Sequence, residues 1–188
     1  HGKAGKINIT AKGETSYNTR TITPKFVDAY NYATLLNEAR ITRNLAPQYQ
    51  PEELALIKSG LDPDFYPNVD WTNLLLKDGA MSYRADINLN GGGNTARYFA
   101  SLAYVEDQGM CNTDETLRKK YNTNANYKRW NYRMNLDIDI TPTTILKLGI
   151  SGNLNKRNSP GLGDQYVWGE LFGFNALSSP VRYSNGYI

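Results

Sequence analysis

The sequence has very little of the chemistry that most enzymes use. It contains one histidine, His1, and one cysteine, Cys111, among its 188 residues. No pair of soft ligands is therefore present to build a zinc site or a disulfide. A Cys-His or Ser-His-Asp catalytic arrangement would have to use His1, because it is the only histidine. These absences exclude most metal-dependent and nucleophilic catalysis. We therefore expect that the protein binds no cofactor and is not an enzyme.

A strong charge of one sign is also missing. The net charge of +3 is small for this length, and the one dense basic run, 118–120, lies among Asn and Thr in a predicted loop. Nucleic-acid-binding domains usually carry a basic patch or stripe. We therefore expect no nucleic-acid partner.

Long hydrophobic runs are absent, because no segment approaches the roughly 18 apolar residues of a membrane helix. The chain shows no signal peptide, and its mean hydropathy is -0.58. Barrel strands conceal their hydrophobicity by alternating it with polar residues, so this value still fits a membrane β-barrel. Fourteen tyrosines beside three methionines also favour strands over a helical bundle.

Five segments alternate apolar and polar residues with the period of a β-strand. The clearest is 129–140, where every even-numbered residue from Trp130 to Ile140 is apolar and every odd-numbered residue is polar. Its length suits a tilted bilayer crossing. The five predicted strands are 7–17, 81–90, 97–105, 129–140 and 146–154.

The connections between these strands are short and long in turn. Strands two and three, and strands four and five, are joined by a few turn residues, whereas the other connections are long. Short turns on one side and long loops on the other are typical of outer-membrane barrels. The sequence therefore predicts antiparallel strands of a transmembrane β-barrel, with a soluble β-sandwich as the alternative fold.

The long loop 19–80 is predicted to contain three helices. Thr23 before Pro24 predicts a first helix that starts there and reaches about Arg43. A second helix runs from Pro51 to Gly60, and Asp70 caps a third helix over 71–77. We expect this loop to be a folded cap on the extracellular side of the barrel, because the long loops of such barrels are extracellular.

Several blocks of the sequence are similar to the SusC/RagA family of TonB-linked outer-membrane receptors of Bacteroidota. These blocks are PKFVDAYNYATLLNEAR, GLDPDFYPNVDW, INLNGGGNTARYFASLAYV and the segment 130–140. Their order and spacing also match. In this resemblance, residues 1–5 correspond to the tail of the plug domain and residues 6–188 to the N-terminal portion of the barrel, including loop 19–80.

The resemblance implies a location and partners. It implies an outer-membrane importer of oligosaccharides, glycans or peptides that works with a SusD-like surface lipoprotein. TonB would supply force through the rest of the plug, which we expect to lie outside this fragment, and lipid would surround the strands. Because the chain has few strands and an odd number of them, we expect a fragment of the receptor. The alternative function is a soluble β-rich glycan-binding module.

Three groups of residues are candidate sites. Oxygen-bearing side chains in DPDFYPNVD could bind calcium, but their spacing matches no EF-hand loop, and turn and cap chemistry explains them better. Aromatic residues near the ends of the apolar strand faces are expected at the membrane interface. Exposed aromatics of the long loop could contact partner or substrate, or could pack the helices. The calcium candidates are Asp62, Asp64, Asn68 and Asp70; the interface aromatics are Tyr83, Tyr98, Tyr104, Trp130 and Tyr132; the loop aromatics are Tyr49, Phe65, Tyr66 and Trp71.

Asp137 and Asp139 lie on one predicted strand face, where two carboxylates could form a glycosidase pair. Alternation with Asn and Arg explains both carboxylates as part of a polar barrel wall. We therefore assign no catalytic residue.

Overall fold

The computed structural model describes residues 4–113, 124–161 and 163–187. Its five strands form one antiparallel sheet in the order β1-β2-β3-β4-β5. The predicted strands and the mainly β fold are confirmed, and the described strands form no second sheet that would make a sandwich. The strands are β1 Gly5–Thr19, β2 Gly79–Gly92, β3 Ala96–Gln108, β4 Asn126–Thr141 and β5 Thr144–Asn158; the helices are α1 Ala29–Ile41, α2 Pro51–Ser59, α3 Trp71–Leu75 and α4 Asp164–Gly173.

The chain divides into two compact units. The sheet unit comprises His1–Arg20 and Asp78–Pro160, and the helical unit comprises Thr21–Lys77 and Gly161–Ile188. None of the helices in the described part of the chain is long and apolar enough to cross a bilayer.

The strand register places apolar residues on one face of the sheet and polar residues on the other. One apolar row crosses all five strands through Ala11, Ile87, Leu102, Tyr132 and Gly152. Neighbouring residues form a polar row, because successive side chains of a strand point to opposite faces. That row contains Thr10, Asn88, Ser101, Arg133 and Ser151.

Two tight hairpins join the strands, as the sequence predicted. The β2–β3 turn begins at Gly92, whose φ of 153° lies outside the range that side chains favour. A Cβ there would collide with the backbone of Ala96 and Arg97. Glycine is therefore required at this turn. The β4–β5 turn is made by Pro142 and Thr143, where the Thr143 amide donates to the Thr141 hydroxyl at 3.3 Å.

The helix caps confirm two of the predicted helices and correct the first. Helix α2 starts at Pro51 and ends at Ser59, and its C-cap, Gly60, is left-handed with φ 65°. In α3 the Asp70 carboxylate accepts from the Asn73 amide at 3.1 Å, as predicted, but the helix ends at Leu75. The second and third helices thus have the expected start residues.

The first helix starts five residues later than predicted. Helix α1 begins at Ala29, and residues 22–28 have no regular structure. The Asp28 carboxylate accepts from the Asn31 amide at 2.8 Å, so it satisfies an orphan donor of the first turn. The prediction from Thr23 and Pro24 was wrong, because an Asx cap further along the chain provides this hydrogen bond.

The helical unit has a small core of its own. Ala29 and Ala33 of α1 pack with Ile57 of α2 and with Ala176, and partly buried aromatic and leucine residues surround them. Asn37 is buried and donates to the Tyr49 carbonyl at 2.7 Å, which ties α1 to the start of α2. The core therefore joins the first long loop to the segment that follows β5.

Candidate functional site

The apolar face of the sheet is exposed, although its residues are of the kind that fill protein cores. Ile9 is 64% exposed and Leu154 is 63% exposed. On β4 this face extends from Trp130 to Ile140, a rise of about 34 Å along the strand. At the tilt of barrel strands, that corresponds to about 24–28 Å along the membrane normal, close to the apolar band of about 25 Å in outer-membrane barrels.

The predicted interface aromatics lie on this apolar face. Tyr104 and Trp130 are opposite each other, with ring centroids 5.2 Å apart. Tyr98 lies six residues before Tyr104 on the same strand, about 20 Å away along β3. Tyr132 adjoins Trp130 on the face, and Tyr83 lies on β2 opposite Glu106. Four of the five aromatics thus lie towards the Trp130 end of the apolar band, and Tyr98, opposite Leu136, lies nearer its middle.

A charged pair lies directly beyond the Tyr104–Trp130 pair on the same face. Glu106 and Lys128 form an ion pair at 2.9 Å, and the Tyr104 hydroxyl donates to Glu106 at 2.5 Å. The apolar surface therefore ends here in a row of polar groups.

The polar face carries charges of both signs. Arg97 forms an ion pair with Asp139 at 2.7 Å, and Asp137 lies opposite both Arg97 and Lys147 in the register. The two aspartates considered as a glycosidase pair therefore have basic neighbours. Three apolar side chains of β3 also fall on this face: Phe99, Ala103 and Val105.

The calcium candidates make hydrogen bonds within the helical unit. Asp62 accepts from the Phe65 amide at 3.1 Å, and Asp64 accepts from the Ser184 amide at 2.9 Å. Asn68 accepts from the Ala29 amide at 3.0 Å. Asp70 caps α3. Within the described ranges no three His, Cys, Asp or Glu residues are grouped to hold a metal ion.

The loop aromatics differ in their surroundings. Tyr49 and Tyr66 pack against the core of the helical unit, and the Tyr66 hydroxyl donates to Glu53 at 3.3 Å. Burial raises the pKa of both phenols above the usual value of 10.0, and the nearby Glu53 carboxylate raises the pKa of Tyr66 further. Phe65, in contrast, is 80% exposed.

Trp71 lines a cavity of about 210 Å³ that the sequence did not indicate. Its indole N–H donates to the Asn175 carbonyl at 3.0 Å, and its ring lies 5.4 Å from that of Phe174. We call this site the aromatic cavity. Its lining residues are Phe26, Val27, Asp28, Asn68, Val69, Asp70, Trp71, Leu171, Phe174 and Ala176.

Comparison with known proteins supports a barrel segment. No family model matches the chain. TonB-dependent receptor P26 of Formosa agariphila is 26% identical over 150 residues, which are 80% of this chain and 13% of that protein. The resemblance to TonB-linked receptors is confirmed. The chain thus spans about an eighth of the length of this TonB-dependent receptor.

Solved structures of the RagAB peptide importer share the fold. In its closed-closed state the TM-score is 0.61 at 19% identity, over 85% of this chain and 19% of the RagAB chain. In its open-open state the TM-score is 0.59 at 19% identity, over 84% of this chain and 18% of the other. TonB-dependent receptors and RagAB are outer-membrane proteins, so the predicted location agrees with these relatives. They are named as receptors and transporters, which is consistent with the expectation that this chain is not an enzyme.

Proposed function

We propose that this chain is part of the barrel of a TonB-dependent outer-membrane importer. The observation that carries the proposal is the division of the sheet into an exposed apolar face and a polar face across all five strands. In such a barrel the apolar face meets lipid and the polar face lines the lumen. The open edges of β1 and β5 then pair with further strands, because unpaired backbone groups are costly in lipid.

The aromatic residues support the position of the sheet in the membrane. Rings of Tyr and Trp favour the headgroup level, where one end is apolar and the other is wet. Tyr83, Tyr104, Trp130 and Tyr132 mark one interface, whereas Tyr98, opposite Leu136, lies deeper in the apolar band. The Glu106–Lys128 pair beyond Tyr104 then lies in the headgroup region, where charge is tolerated.

The helical unit is proposed to lie outside the cell. Strands β1, β3 and β5 run in the same direction, so the long connections after them leave the sheet at one end, opposite the short turns. Long loops of outer-membrane barrels are extracellular. A SusD-like lipoprotein and the incoming substrate are the proposed partners of these loops, and residues 1–5 are the proposed tail of the plug through which TonB acts.

Peptides are the first substrate class to test, since the structurally similar RagAB is a peptide importer; oligosaccharides are the second. The experiment deletes the gene for the full-length receptor in its host and measures uptake of labelled peptides and oligosaccharides, with and without a protonophore. Loss of protonophore-sensitive uptake, restored by the wild-type gene, supports the proposal. Uptake that is unaffected for both substrate classes contradicts it.

The loop contact is tested separately with exposed side chains. Leu61 and Phe65 are 79% and 80% exposed after α2 and lie outside the helical core. The Leu61→Ala and Phe65→Ala double variant should weaken lipoprotein capture or uptake several-fold without unfolding the unit. Ile22→Ala, at an 85% exposed position, is the matched control. Wild-type capture and uptake in the double variant would contradict a role for this surface.

A further inference from the structure

The aromatic cavity combines a size, a lining and a charge that suit one kind of ligand. At about 210 Å³ it is smaller than the roughly 300–1,000 Å³ of pockets for drug-sized ligands. It therefore accommodates one amino-acid side chain rather than a complete small molecule.

The walls of the cavity include three aromatic side chains, and the indole of one of them, Trp71, is held in place. The hydrogen bond from Trp71 to the Asn175 carbonyl and the tilted contact with Phe174 hold the indole. Leu171 is buried beneath, while Phe26 and Phe174 remain partly exposed. Rings that are held in this way offer their faces to a flat or cationic group.

Two carboxylates give the lining a negative charge. Asp28 and Asp70 each accept from the backbone and side-chain amides of an Asn three residues later. An ionised carboxylate has about four acceptor sites, so each retains capacity for another donor. Within the described residues neither forms an ion pair with Lys or Arg. Both charges are therefore available to a cation from outside.

We propose that the aromatic cavity binds one basic side chain, arginine or lysine, of a peptide substrate. The proposal rests on the proposed importer function and narrows its substrate class. The rings contact the methylene stem and the face of the cationic group, and the carboxylates pair with its N–H donors. An anion is excluded by the two carboxylates, and a neutral side chain leaves their charge unpaired.

The test uses the full-length receptor in detergent and two tripeptides of nearly equal shape. One is glycyl-arginyl-glycine, and the other replaces arginine with the uncharged citrulline. Isothermal titration calorimetry should give the arginine peptide a dissociation constant about tenfold lower, since a charge-assisted pair is stronger than a neutral one. The preference should decrease as ionic strength rises.

Asp28→Asn combined with Asp70→Asn should reduce arginine binding to the citrulline level. Asparagine caps helices as well as aspartate does, so both helices remain capped. Asp62→Asn removes the same charge from the same unit at a position that does not line the cavity, and it should leave the preference unchanged. Asp62 is thus the matched control.

Three results would overturn the assignment: equal binding of the two tripeptides, an unchanged preference in the double variant, or no binding of either peptide. Uptake of a mixed peptide pool is measured in parallel. If peptides are taken up without a preference for arginine, the cavity assignment is wrong and the importer function stands. An arginine preference in binding without any peptide uptake would show that the cavity recognises a basic side chain, but it would overturn the assignment of that side chain to an imported peptide.

Discussion

The two units of this protein differ in how far they bury apolar side chains of the same types. In the helical unit Ala33 is fully buried and Ile57 is 5% exposed, because α1, α2 and the segment after β5 supply a core for one another. In the sheet unit the isoleucines and leucines of the apolar face are mostly exposed. The described sheet has no second layer over that face.

This difference in burial indicates a different surrounding medium for each unit. Burying a side chain such as Ile or Leu is worth about 1.5–3 kcal/mol. The helical unit gains this free energy from its own packing, whereas the sheet gains it only in contact with lipid or another apolar partner. The helical unit is therefore expected to depend on internal packing and the sheet on its membrane.

The largest expected effect comes from the helical core. Ile57→Ala should destabilise the helical unit by about 2–5 kcal/mol, because it removes apolar contacts and leaves a cavity. Ile150→Ala, on the exposed apolar face of β5, should cost much less, since lipid fills the space. Hydrogen exchange of each unit in the full-length receptor measures both. Similar losses at the two positions would contradict the comparison.

The next largest expected effect is the difference in folding free energy between substitutions on the two faces of the sheet, made at neighbouring residues of β4. Leu136→Arg should cost about 2–4 kcal/mol if Leu136 faces lipid near the bilayer midplane, and Asn135→Arg much less if Asn135 faces the lumen. The two residues are half-buried to a similar degree in this structure, so general burial does not separate them. Folding into lipid vesicles is the measurement. Equal or reversed costs would refute the membrane assignment of β4.

Much of the sheet was predictable because its signal is local. The alternation in 129–140 and the turn residues at 91–95 depend on near neighbours in the sequence, and both hairpins formed as expected. The same holds for α2, where Pro51 and Gly60 mark the two ends. The start of α1 was mispredicted because two cap signals, at Thr23 and Asp28, compete within six residues.

The aromatic cavity was not predictable, since its contacts join distant parts of the chain. The Trp71 indole donates to the Asn175 carbonyl and the Val69 amide donates to the Ala176 carbonyl, across more than a hundred residues in each case. A hydrophobic pattern of period 2 or 3.6 predicts strands and helices, and it does not indicate hydrogen bonds between residues so far apart in the sequence. Helix α4 was missed as well, since the sequence predicted helices only in loop 19–80. The sequence could therefore place Trp71 at the start of α3 without indicating what its ring contacts.

The smallest effect concerns the alkaline pH response of the helical unit, to which Tyr66 is expected to contribute. Burial, followed by the Glu53 carboxylate, raises the pKa of Tyr66 above 10.0, so the fold favours the neutral phenol. Its contribution to stability is complete below pH 10 and is lost as the pH rises through the raised pKa. Tyr66→Phe removes this dependence, so hydrogen exchange of the helical unit should accelerate less between neutral pH and about pH 11, above the usual tyrosine pKa. Tyr187→Phe, at a 74% exposed position of the same unit, should retain the wild-type profile. The same alkaline loss in all three proteins would show that Tyr66 does not control it.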